Sequence, residues 1–390
     1  MKVLAALSGG VDSSVMAALL QGEGHEVVGL TMSLLEGTVA TAAAEGATAA
    51  QREVADARTL CANLGIEHHV ANMADTFRSQ VVERFCRGYL DGCTPNPCID
   101  CNRHLKLAAL QQQRRTLGLD AVATGHYARV GFDEVRGRWV LRRALDEAKD
   151  QSYVLFRATQ DDLAHLLLPL GELTKAQVRS LAQERGFACA SKPDSQDICF
   201  VPDGDYVAFI ERYAAACDAG ARDGSALDGD RAETLAEGAG AVGADGAFGL
   251  STLKPGPIVD NDGKLLGTHQ GIARYTLGQR KGIGVAAPQA LYVCGKDAKS
   301  NTLTVGPLDE ALVTRVTAHD VTMVGAAALE GPTRVMAKTH YRHVPQPATA
   351  TQPDADTLIV EFDEPQRPAA PGQALVVYDG DVLLAGGTIA

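Results

Sequence analysis

The sequence predicts an α/β N-terminal domain with a parallel, doubly wound sheet, a small central domain and a C-terminal antiparallel β-barrel. Strand-like and helix-like runs alternate over the first 130 residues, which favours a parallel sheet with helices on both faces. Residues 218–250 are rich in Ala, Gly and Asp and interrupt the middle of the chain. After about residue 285, short β-rich runs recur between turn residues, as in a small barrel or sandwich.

Hydrophobic periodicity predicts the N-terminal elements in order. Apolar runs predict buried strands, which lie at residues 3–7, 27–32, 68–70 and 120–124. Apolar residues at helical spacing predict the helices between them, which lie at residues 14–22, 51–64, 77–85 and 105–117. Thr174 and Gln177 suit a capping box, and Gly186 suits the end of that helix. Ligands of such a sheet bind beyond the carboxyl ends of its strands.

Composition shifts divide the chain into three predicted domains. Residues 1–205 form the catalytic domain, residues 206–285 a central linker or adaptor domain, and residues 286–390 the barrel. Residues 218–250 are predicted to be a flexible insertion. Residues 33–50 are low in complexity and are predicted to be a mobile excursion at the sheet edge. The barrel runs are expected at residues 291–294, 302–305, 334–338, 357–362, 374–378 and 382–384.

Charge and cysteine content restrict the cellular setting. The 390 residues carry a net charge of −12, but residues 102–143 hold nine Lys/Arg against three Asp/Glu, so a basic surface is available. Nine cysteines without a secretion signal favour a reducing compartment, which by default is the cytoplasm. No apolar stretch approaches the length that spans a membrane, so no membrane partner is expected.

The stretch Ser8-Gly9-Gly10-Val11-Asp12-Ser13, the glycine loop, joins a predicted strand to a predicted helix. Glycines let the backbone approach an anion, while successive N–H groups and the helix dipole attract it. The chain contains no Gly-x4-Gly-Lys-Ser/Thr sequence, so an ordinary Walker ATPase is not indicated. The glycine loop therefore predicts a phosphate site of another type, against the simpler interpretation of a capped strand-to-helix turn.

Two separate cysteine segments are candidates for sulfur chemistry. In Thr94-Pro95-Asn96-Pro97-Cys98-Ile99-Asp100-Cys101, prolines fix an extended loop ahead of a helix, whose dipole is expected to lower the thiol pKa values. Cys-x-x-Cys alone is also compatible with zinc, which needs two further ligands, or with a redox pair. Cys199 lies about 100 residues later and, taken alone, suits a small buried hydrophobe.

Eight blocks resemble, in order, those of the tRNA-specific 2-thiouridylases of the N-type ATP pyrophosphatase superfamily. The blocks lie at residues 8–13, 94–102, 123–127, 149–153, 194–200, 267–271, 276–282 and 341–342. The resemblance implies an adenine nucleotide alpha hydrolase-like fold. It also implies 2-thiolation of the wobble uridine of tRNA, with AMP and pyrophosphate as products. Some members have Asp where this chain has Cys98, so a general acid/base role for that Asp does not carry over.

The resemblance also implies roles for individual residues. Cys101 matches the nucleophile and Cys199 the cysteine that carries a persulfide. The ATP-binding positions are Ala6, Leu7, Ser8, Gly9, Gly10, Val11, Asp12, Ser13, Met32 and Gly125. Target-base contacts fall on Asn96, Pro97 and Cys98. The tRNA-contacting positions are His126, Lys149, Asp150, Gln151, Tyr341, Arg342 and Gln373.

Adenylation turns the C2 oxygen of uridine into a good leaving group, which explains an ATP site beside a sulfur nucleophile. Asp12 is expected to help position Mg²⁺. In the favoured route, Cys199 receives a persulfide sulfur from a cysteine desulfurase or a relay protein, and a Cys101–Cys199 disulfide is left after transfer. In the alternative, Cys98, Cys101 and Cys199 hold a [4Fe–4S] cluster that binds sulfide.

The expected nucleic-acid partner is the anticodon stem-loop of Lys-, Glu- or Gln-type tRNAs, with the wobble base turned out of its stack. Cations expected to contact phosphates are Arg103, Lys106, Arg114, Arg115, Arg142, Arg143, Lys149, Arg280, Lys281 and Arg342. Two other function classes stay open at this point. One is a different adenylating enzyme, which has no use for Cys101 and Cys199, and the other is a non-catalytic RNA-binding protein.

Overall fold

A computed structural model describes residues 1–34, 49–192, 198–201, 203–218 and 250–390. Most of the low-complexity segment 33–50, most of the predicted insertion 218–250 and residues 194–197 of the block 194–200 therefore lie outside the described residues. The helices and strands of the three domains follow in chain order.

Seven strands and eight helices occur in the described part of residues 1–192. The strands are β1 (Lys2–Ala6), β2 (Glu26–Ser33), β3 (Glu67–Asn72), β4 (Ala121–Ala123), β5 (Ala128–Asp133), β6 (Arg138–Arg143) and β7 (Leu166–Leu167). The helices are α1 (Val11–Gly22), α2 (Ala49–Leu64), α3 (Ala74–Phe77), α4 (Glu83–Leu90), α5 (Pro97–Cys101), α6 (Leu110–Thr116), α7 (Gln160–Ala164) and α8 (Lys175–Glu184).

A five-stranded parallel sheet in the order β3-β2-β1-β4-β7 forms the centre of the N-terminal domain. Val3, Leu4 and Ala5 of the central strand are fully buried because helices cover both faces. One face packs against α1, α2 and α8. The other packs against the helices between residues 74 and 116 and against α9 (Tyr206–Asp218). The predicted doubly wound sheet is therefore confirmed.

The two longest helical segments on the second face are not regular α-helices throughout. A π-helical turn (Arg78–Val82) joins α3 to α4, and a longer π-helical segment (Asn102–Ala109) joins α5 to α6. In the second case the N–H of Leu110 bonds to the carbonyl of Leu105, five residues earlier. Such segments occur frequently at functional sites, and this one follows Cys101 directly.

The C-terminal domain is a closed antiparallel barrel of six strands. They are β12 (Val313–Met323), β13 (Thr333–Lys338), β14 (Gln346–Thr351), β15 (Leu358–Gln366), β16 (Ala374–Asp379) and β17 (Val382–Ile389). Their order is β12-β15-β14-β13-β16-β17, and β17 pairs back onto β12 to close the barrel. Small and branched side chains such as Ala337, Ala348 and Val360 fill the interior.

A hairpin of the N-terminal domain extends this barrel sheet. Strands β5 and β6 pair with each other, and Arg142 of β6 pairs with Val382 of β17. The carboxylate of Asp381, in the turn before β17, accepts hydrogen bonds from Arg142 at 2.9 Å and from Arg129 at 2.7 Å. Strand pairing and charged hydrogen bonds therefore join the first and last domains.

The central domain corrects one prediction made from the sequence. Its sheet has the order β10-β11-β8-β9, with β8 (Gly256–Val259), β9 (Leu265–His269), β10 (Tyr292–Asp297) and β11 (Thr302–Gly306). The runs at 291–294 and 302–305 were expected to belong to the C-terminal barrel, and that expectation was wrong. Leu303 pairs with Ile258, and both pack with Val293 and Ile272 in a core of the central domain. A short helix, α10 (Leu308–Ala311), separates this sheet from the barrel.

Candidate active site

The glycine loop lies at the carboxyl end of β1 and leads directly into α1. That helix begins after Gly10, and no side chain caps its first turn. The loop is closed by its own serines: Ser13 Oγ accepts a hydrogen bond from the Ser8 N–H, and the two hydroxyl oxygens are 3.2 Å apart. The first N–H groups of α1 thus have no side-chain acceptor, which is the arrangement that an anion-binding helix terminus requires.

Two glycines allow close packing around this loop. Gly9 has φ +67°, and a Cβ at this position would lie 2.7 Å from the carbonyl oxygen of Glu53 in α2. Gly125, which follows β4, lies against α1, where a Cβ would be 3.1 Å from the backbone nitrogen of Ser13. Met32 is half-buried near the carboxyl end of β2. The fold therefore brings the glycine loop, Met32 and Gly125 to one edge of the sheet.

Lys175 and Lys192 flank the glycine loop. Neither was predicted from the sequence to take part in ATP binding. The Lys175 ammonium, at the start of α8, lies 2.7 Å from both carboxylate oxygens of Asp12, which also accepts a hydrogen bond from the Tyr127 hydroxyl. Lys192 donates to the Gly9 carbonyl at 3.2 Å and pairs with Asp56. The Thr174–Gln177 capping box shows in the sequence where α8 begins, but not which group its first residue faces.

The environment of Asp12 does not fit the expected Mg²⁺ site. Both of its oxygens contact the Lys175 ammonium, and one also accepts from Tyr127. Mg²⁺ requires free oxygen ligands at short, nearly octahedral distances. Asp12 does not offer such ligands in this arrangement, so no step below depends on an ion held by this carboxylate.

Cys98 and Cys101 lie on α5, whose start is determined by the preceding loop. The Asn96 side chain accepts a hydrogen bond from the Cys98 N–H at 3.1 Å, and Pro97 occupies the first helical position. Cys98 is exposed and Cys101 is half-buried. Because Cys101 follows Cys98 by three positions on one helix, the two thiols lie on the same side of α5.

The thiol pKa values differ from the expectation made from the sequence. A helix N-terminus was expected to lower them, but burial raises the pKa of both the Cys98 and the Cys101 thiols. Both side chains are enclosed by enough protein to disfavour the thiolate, although Cys98 keeps contact with solvent. The Lys106 ammonium opposes this effect at both thiols and therefore favours the thiolate.

Cys199 lies beside these two thiols although it is distant in the sequence. Burial raises its pKa to about 12, and the next causes are the neighbouring Cys101 and Cys98. The adjacent Phe200 makes edge contacts with Phe77 and Phe85, whose ring centroids are 5.6 and 5.3 Å away. This aromatic anchor holds the exposed Cys199 over the second face of the sheet. The structure therefore brings the three sequence-predicted cysteines together.

Two of the positions expected to contact tRNA are buried, which corrects that expectation for their side chains. The His126 ring lies 2.7 Å from the Thr124 hydroxyl and 3.5 Å from the Lys106 ammonium. The carboxylate of Asp150 accepts from the backbone N–H groups of Ala144 and Ser152 at 3.1 Å. Both side chains have protein partners and little solvent contact, so each supports the site from within.

Tyr341, Gln151 and Gln373 connect the barrel to the cysteine segment. Tyr341 hydrogen-bonds to Gln151 and lies near Cys98, and burial raises the pKa of its hydroxyl. The Gln373 amide donates to the Thr94 carbonyl at 2.6 Å, and the Thr94 N–H donates to the Pro371 carbonyl at 2.7 Å. The Thr94 hydroxyl also reaches Thr276 of the central domain at 3.4 Å. All three domains therefore hold the loop that precedes α5.

Many of the cations expected to bind phosphate are occupied within the protein. Arg114 is buried and donates to Gln111 and to the Leu119 carbonyl. Arg103, Arg115, Arg142 and Arg143 form ion pairs with nearby carboxylates. Arg280, Lys281 and Arg342 are exposed, and Lys149 is half-buried. The three exposed cations are therefore the better candidates from that set for contact with a nucleic acid.

No metal centre is formed by the cysteines in the described residues. Within these ranges no three His, Cys, Asp or Glu side chains are arranged to hold a metal ion. The set Cys98, Cys101 and Cys199 therefore does not fit the predicted [4Fe–4S] cluster in this arrangement, although the three thiols are neighbours. In the same part of the chain, no helix has both the length and the apolar character needed to cross a membrane.

Three family models match consecutive parts of the chain. A tRNA methyl transferase HUP domain matches residues 1–203, a tRNA methyl transferase PRC-barrel domain residues 250–307, and an aminomethyltransferase β-barrel domain residues 313–389. These matches agree with the parallel sheet, the central sheet and the closed antiparallel barrel described above. The HUP match also supports the use of ATP by the N-terminal domain.

Curated relatives cover the whole chain. The tRNA-specific 2-thiouridylase MnmA of Roseiflexus castenholzii is 42% identical over 403 residues, covering 100% of this chain and 99% of the relative. That of Heliobacterium modesticaldum is 42% identical over 389 residues, covering 99% and 92%. The U34-tRNA thiolase NcsA from Methanococcus maripaludis with its [4Fe-4S] cluster is a distant match, 18% identical with a TM-score of 0.33, covering 55% of this chain and 67% of that one. Identity and coverage to the curated relatives show that this chain belongs to the tRNA-specific 2-thiouridylase family.

Proposed function

We propose that this protein catalyses ATP-dependent 2-thiolation of the wobble uridine of tRNA, releasing AMP and pyrophosphate. The observation that carries the proposal is the meeting of two sites on one domain. The glycine loop and Gly125 meet at the sheet edge, where no side chain caps the first turn of α1. His126, the next residue after Gly125, contacts Lys106, which acts on the thiols of Cys98, Cys101 and Cys199.

In the adenylation step, the uncapped N–H groups at the start of α1 hold the phosphates of ATP. Ala6, Leu7, Ser8, Gly9, Gly10, Val11, Asp12 and Ser13 line this end of the nucleotide, and Met32 and Gly125 lie on the adenosine side. Lys175 and Lys192 add positive charge on either side of the loop. The C2 oxygen of the uridine attacks the α-phosphorus, and pyrophosphate leaves.

In the transfer step, Cys199 carries a sulfane sulfur as a persulfide. The terminal sulfur attacks C2 of the adenylated uridine, forming a carbon–sulfur bond as AMP leaves with the oxygen. Cys101 then attacks the Sγ of Cys199, which breaks the bond to the transferred sulfur and releases the 2-thiouridine. The two cysteines are left as a disulfide, which a dithiol reductant returns to thiols before the next persulfide is loaded.

The segment Asn96, Pro97 and Cys98 forms the wall that faces the target base. Its rigidity comes from Pro97, from the Asn96 cap and from the hydrogen bond that Gln373 donates to Thr94. Tyr341 of the barrel, hydrogen-bonded to Gln151, lies near Cys98 and adds to this wall. Lys149, Arg342, Arg280 and Lys281 are proposed as contacts to the tRNA backbone, whereas His126 and Asp150 act by holding their neighbours.

The partners proposed beyond ATP and tRNA follow from this chemistry. A persulfide on Cys199 requires a donor, which we assign to a cysteine desulfurase or a relay protein. The anticodon stem-loop of Lys-, Glu- and Gln-type tRNAs is the proposed target, and the cytoplasm is the proposed location. The steps proposed above carry sulfur on Cys199 and Cys101 and do not depend on an iron–sulfur cluster.

A reconstituted assay tests the function directly. Purified protein, ATP, Mg²⁺, an unmodified tRNA with U34 and a persulfide donor are incubated, and 2-thiouridine and pyrophosphate are quantified. The wild type is expected to form both. Cys101→Ser is expected to abolish 2-thiouridine while leaving tRNA binding intact, whereas Cys294→Ser, which changes a half-buried cysteine of the central sheet, keeps full activity. Absence of 2-thiouridine with the wild type would overturn the proposal.

A further inference from the structure

The sulfur site contains a lysine, Lys106, that has no carboxylate partner among the described residues. Lys175 and Lys192 are paired with Asp12 and Asp56, which neutralises them in the absence of ligand. In the part of the chain that the structure describes, no carboxylate oxygen lies within 4.0 Å of the Lys106 ammonium. In the described residues, its ammonium lies 3.5 Å from the Nε2 atom of the buried His126 ring. The charge of this half-buried lysine is therefore available to an anion that forms beside it.

The helix geometry directs this cation toward the thiols. Lys106 follows Cys101 by five residues, and the segment between them is π-helical, with hydrogen bonds that span five residues. A side chain five positions on therefore returns to the side of the helix that carries Cys101. The effect is visible at each thiol, since Lys106 is the group that favours the thiolate of Cys98, Cys101 and Cys199.

His126 holds the lysine in this position. An ammonium only donates hydrogen bonds, so the His126 Nε2, 3.5 Å from Nζ, is the accepting nitrogen. The Nδ1 then carries the proton and donates to the Thr124 hydroxyl at 2.7 Å. Burial and the Lys106 charge lower the pKa of His126 well below its ordinary value, which keeps the ring neutral. The ring therefore orients the ammonium without adding a second charge.

We propose that Lys106, oriented by His126, is the positioning cation of the sulfur site and stabilises the anionic sulfur at Cys101 and Cys199 before transfer. The proposal rests on the proposed function in taking these thiols as sulfur carriers. Among the described residues, the other charged or titratable groups that act on them are Asp100 beside Cys101, Glu53 of α2 beside Cys199 and Tyr341 of the barrel beside Cys98. The two carboxylates oppose the anion, so Lys106 is the group that counteracts them.

The test measures thiol reactivity without ATP or tRNA. The reduced full-length protein is treated with iodoacetamide between pH 6.5 and 10.5, and alkylation of each cysteine is followed by peptide mass spectrometry. Lys106→Gln is expected to move the pH profiles of Cys101 and Cys199 upward by about one pH unit or more, so that alkylation at pH 8 falls about tenfold. Lys106→Arg keeps the charge and is expected to stay within about twofold of wild type.

Two internal references distinguish charge from packing. Cys294 lies in the central sheet and is not influenced by Lys106, so its rate must be unchanged. Lys264→Gln removes an exposed lysine and must leave every profile in place. If Lys106→Gln also makes Cys294 reactive, the fold has changed, and Lys106→Met, which keeps the aliphatic stem, replaces it in the test.

Two results would overturn the proposal. One is coincidence of the wild-type and Lys106→Gln profiles at Cys101 and Cys199. The other is an equal loss in Lys106→Arg, since that variant retains the charge. A wild type that fails to thiolate tRNA but shows the Lys106-dependent profile overturns the proposed function and leaves the charge assignment standing, so the two failures are distinguishable.

Discussion

Gly9 excludes a side chain for two separate reasons. Its φ of +67° lies in the left-handed region, where residues with a Cβ pay about 1 kcal/mol. A Cβ would also lie 2.7 Å from the Glu53 carbonyl oxygen, and that backbone atom belongs to α2 and has little freedom to move. Gly65 has nearly the same φ, +66°, but open space where its Cβ would be. Comparing Gly9 with Gly65 therefore separates the effect of backbone strain from that of a steric clash.

Gly9→Ala is expected to weaken ATP binding at least tenfold and to lower the free energy of unfolding by about 2–3 kcal/mol. Gly65→Ala is expected to lose only about 1 kcal/mol and to keep its ATP affinity. Calorimetric ATP titration and urea unfolding measure the two quantities. Equal effects in both variants would contradict the steric argument.

Lys296 is a second single residue with a measurable consequence. Its ammonium is buried in β10 and has no hydrogen-bond partner in the described residues. Burial lowers its pKa to about 8, and the nearby Cys93 only partly opposes the shift. Because the unfolded chain has the ordinary pKa of about 10.4, the unfolded state binds more protons between these two values. Stability from this group therefore rises with pH across that interval.

Lys296→Met is expected to stabilise the protein at pH 7 by about 1–3 kcal/mol, since it removes a charge that is costly to bury. The advantage over wild type should shrink as the pH rises from about 8 to 10, because wild-type Lys296 then loses its proton. Urea unfolding at several pH values gives the difference, with Lys299→Met, an exposed neighbour, as control. A difference that does not change with pH contradicts the assignment.

At the residue scale, prediction from the sequence was most successful for residues whose type and spacing indicate one kind of chemistry. The glycine loop, Cys98, Cys101 and Cys199 are brought to one domain as expected. It assigned no role in ATP binding to Lys175 and Lys192, and it counted Lys106 only among the general phosphate contacts, because a lysine carries no signal of what it faces after folding. The burial of His126 and Asp150 could not be predicted either. A polar residue in a matched block gives no sign in the sequence of whether it contacts a ligand or a neighbouring side chain.

At the scale of elements, the anchoring of Cys199 depends on aromatic packing. Phe200 contacts Phe77, Phe85 and Phe209 with ring centroids 5.3–5.6 Å apart, so one side chain ties a short segment to three helices. Cys199 is exposed, and the adjacent Phe200 is the residue whose ring packs against these helices. Its position over the second face of the sheet therefore follows from its neighbour.

Phe200→Ala is expected to reduce sulfur transfer at least tenfold while ATP binding stays within about twofold of wild type. The physical reason is loss of the aromatic contacts, which typically lowers stability by about 3 kcal/mol and releases the segment. Phe132→Ala, at an aromatic residue that is 48% exposed, serves as control. The measurements are single-turnover thiolation and ATP titration. Loss of ATP binding in parallel would show a general unfolding instead.

Periodicity predicted the N-terminal elements closely, but π-helical segments and strand partners were outside its reach. Residues 102–109 have the spacing of an ordinary helix in the sequence, and only the hydrogen bond from Leu110 to Leu105 distinguishes the π form. The run at 302–305 reads as a strand in either domain. Its assignment depends on pairing with Ile258, which lies about 45 residues earlier and leaves no local trace.

At the scale of the whole molecule, Asp320 joins the N-terminal domain to the barrel. Its carboxylate lies 3.1 Å from Arg103 and 2.9 Å from Arg157, and the Arg157 side chain is only 4% exposed. Asp320 has φ +52°, a conformation that Asn also tolerates. By contrast, the ion pair of Arg334 with Asp363 lies in the open on the barrel alone.

Asp320→Asn is expected to lower the free energy of unfolding by about 2 kcal/mol, because it removes the charge that faces a buried guanidinium. Asp363→Asn, which breaks an exposed pair of similar length, is expected to lose less than about 1 kcal/mol. Urea unfolding compares the two. A smaller loss at Asp320 than at Asp363 would show that the interdomain contact does not depend on this charge.

The hairpin of β5 and β6 has a consequence for how the protein is made. Its partner strand, β17, comprises residues 382–389, which are translated about 240 residues after the hairpin. Domains usually fold in the order of their synthesis, starting from the N-terminus. Here the edge of the hairpin stays unpaired with β17 until about 240 further residues have been synthesised. The N-terminal domain is therefore completed only after strand β17 of the barrel has been translated.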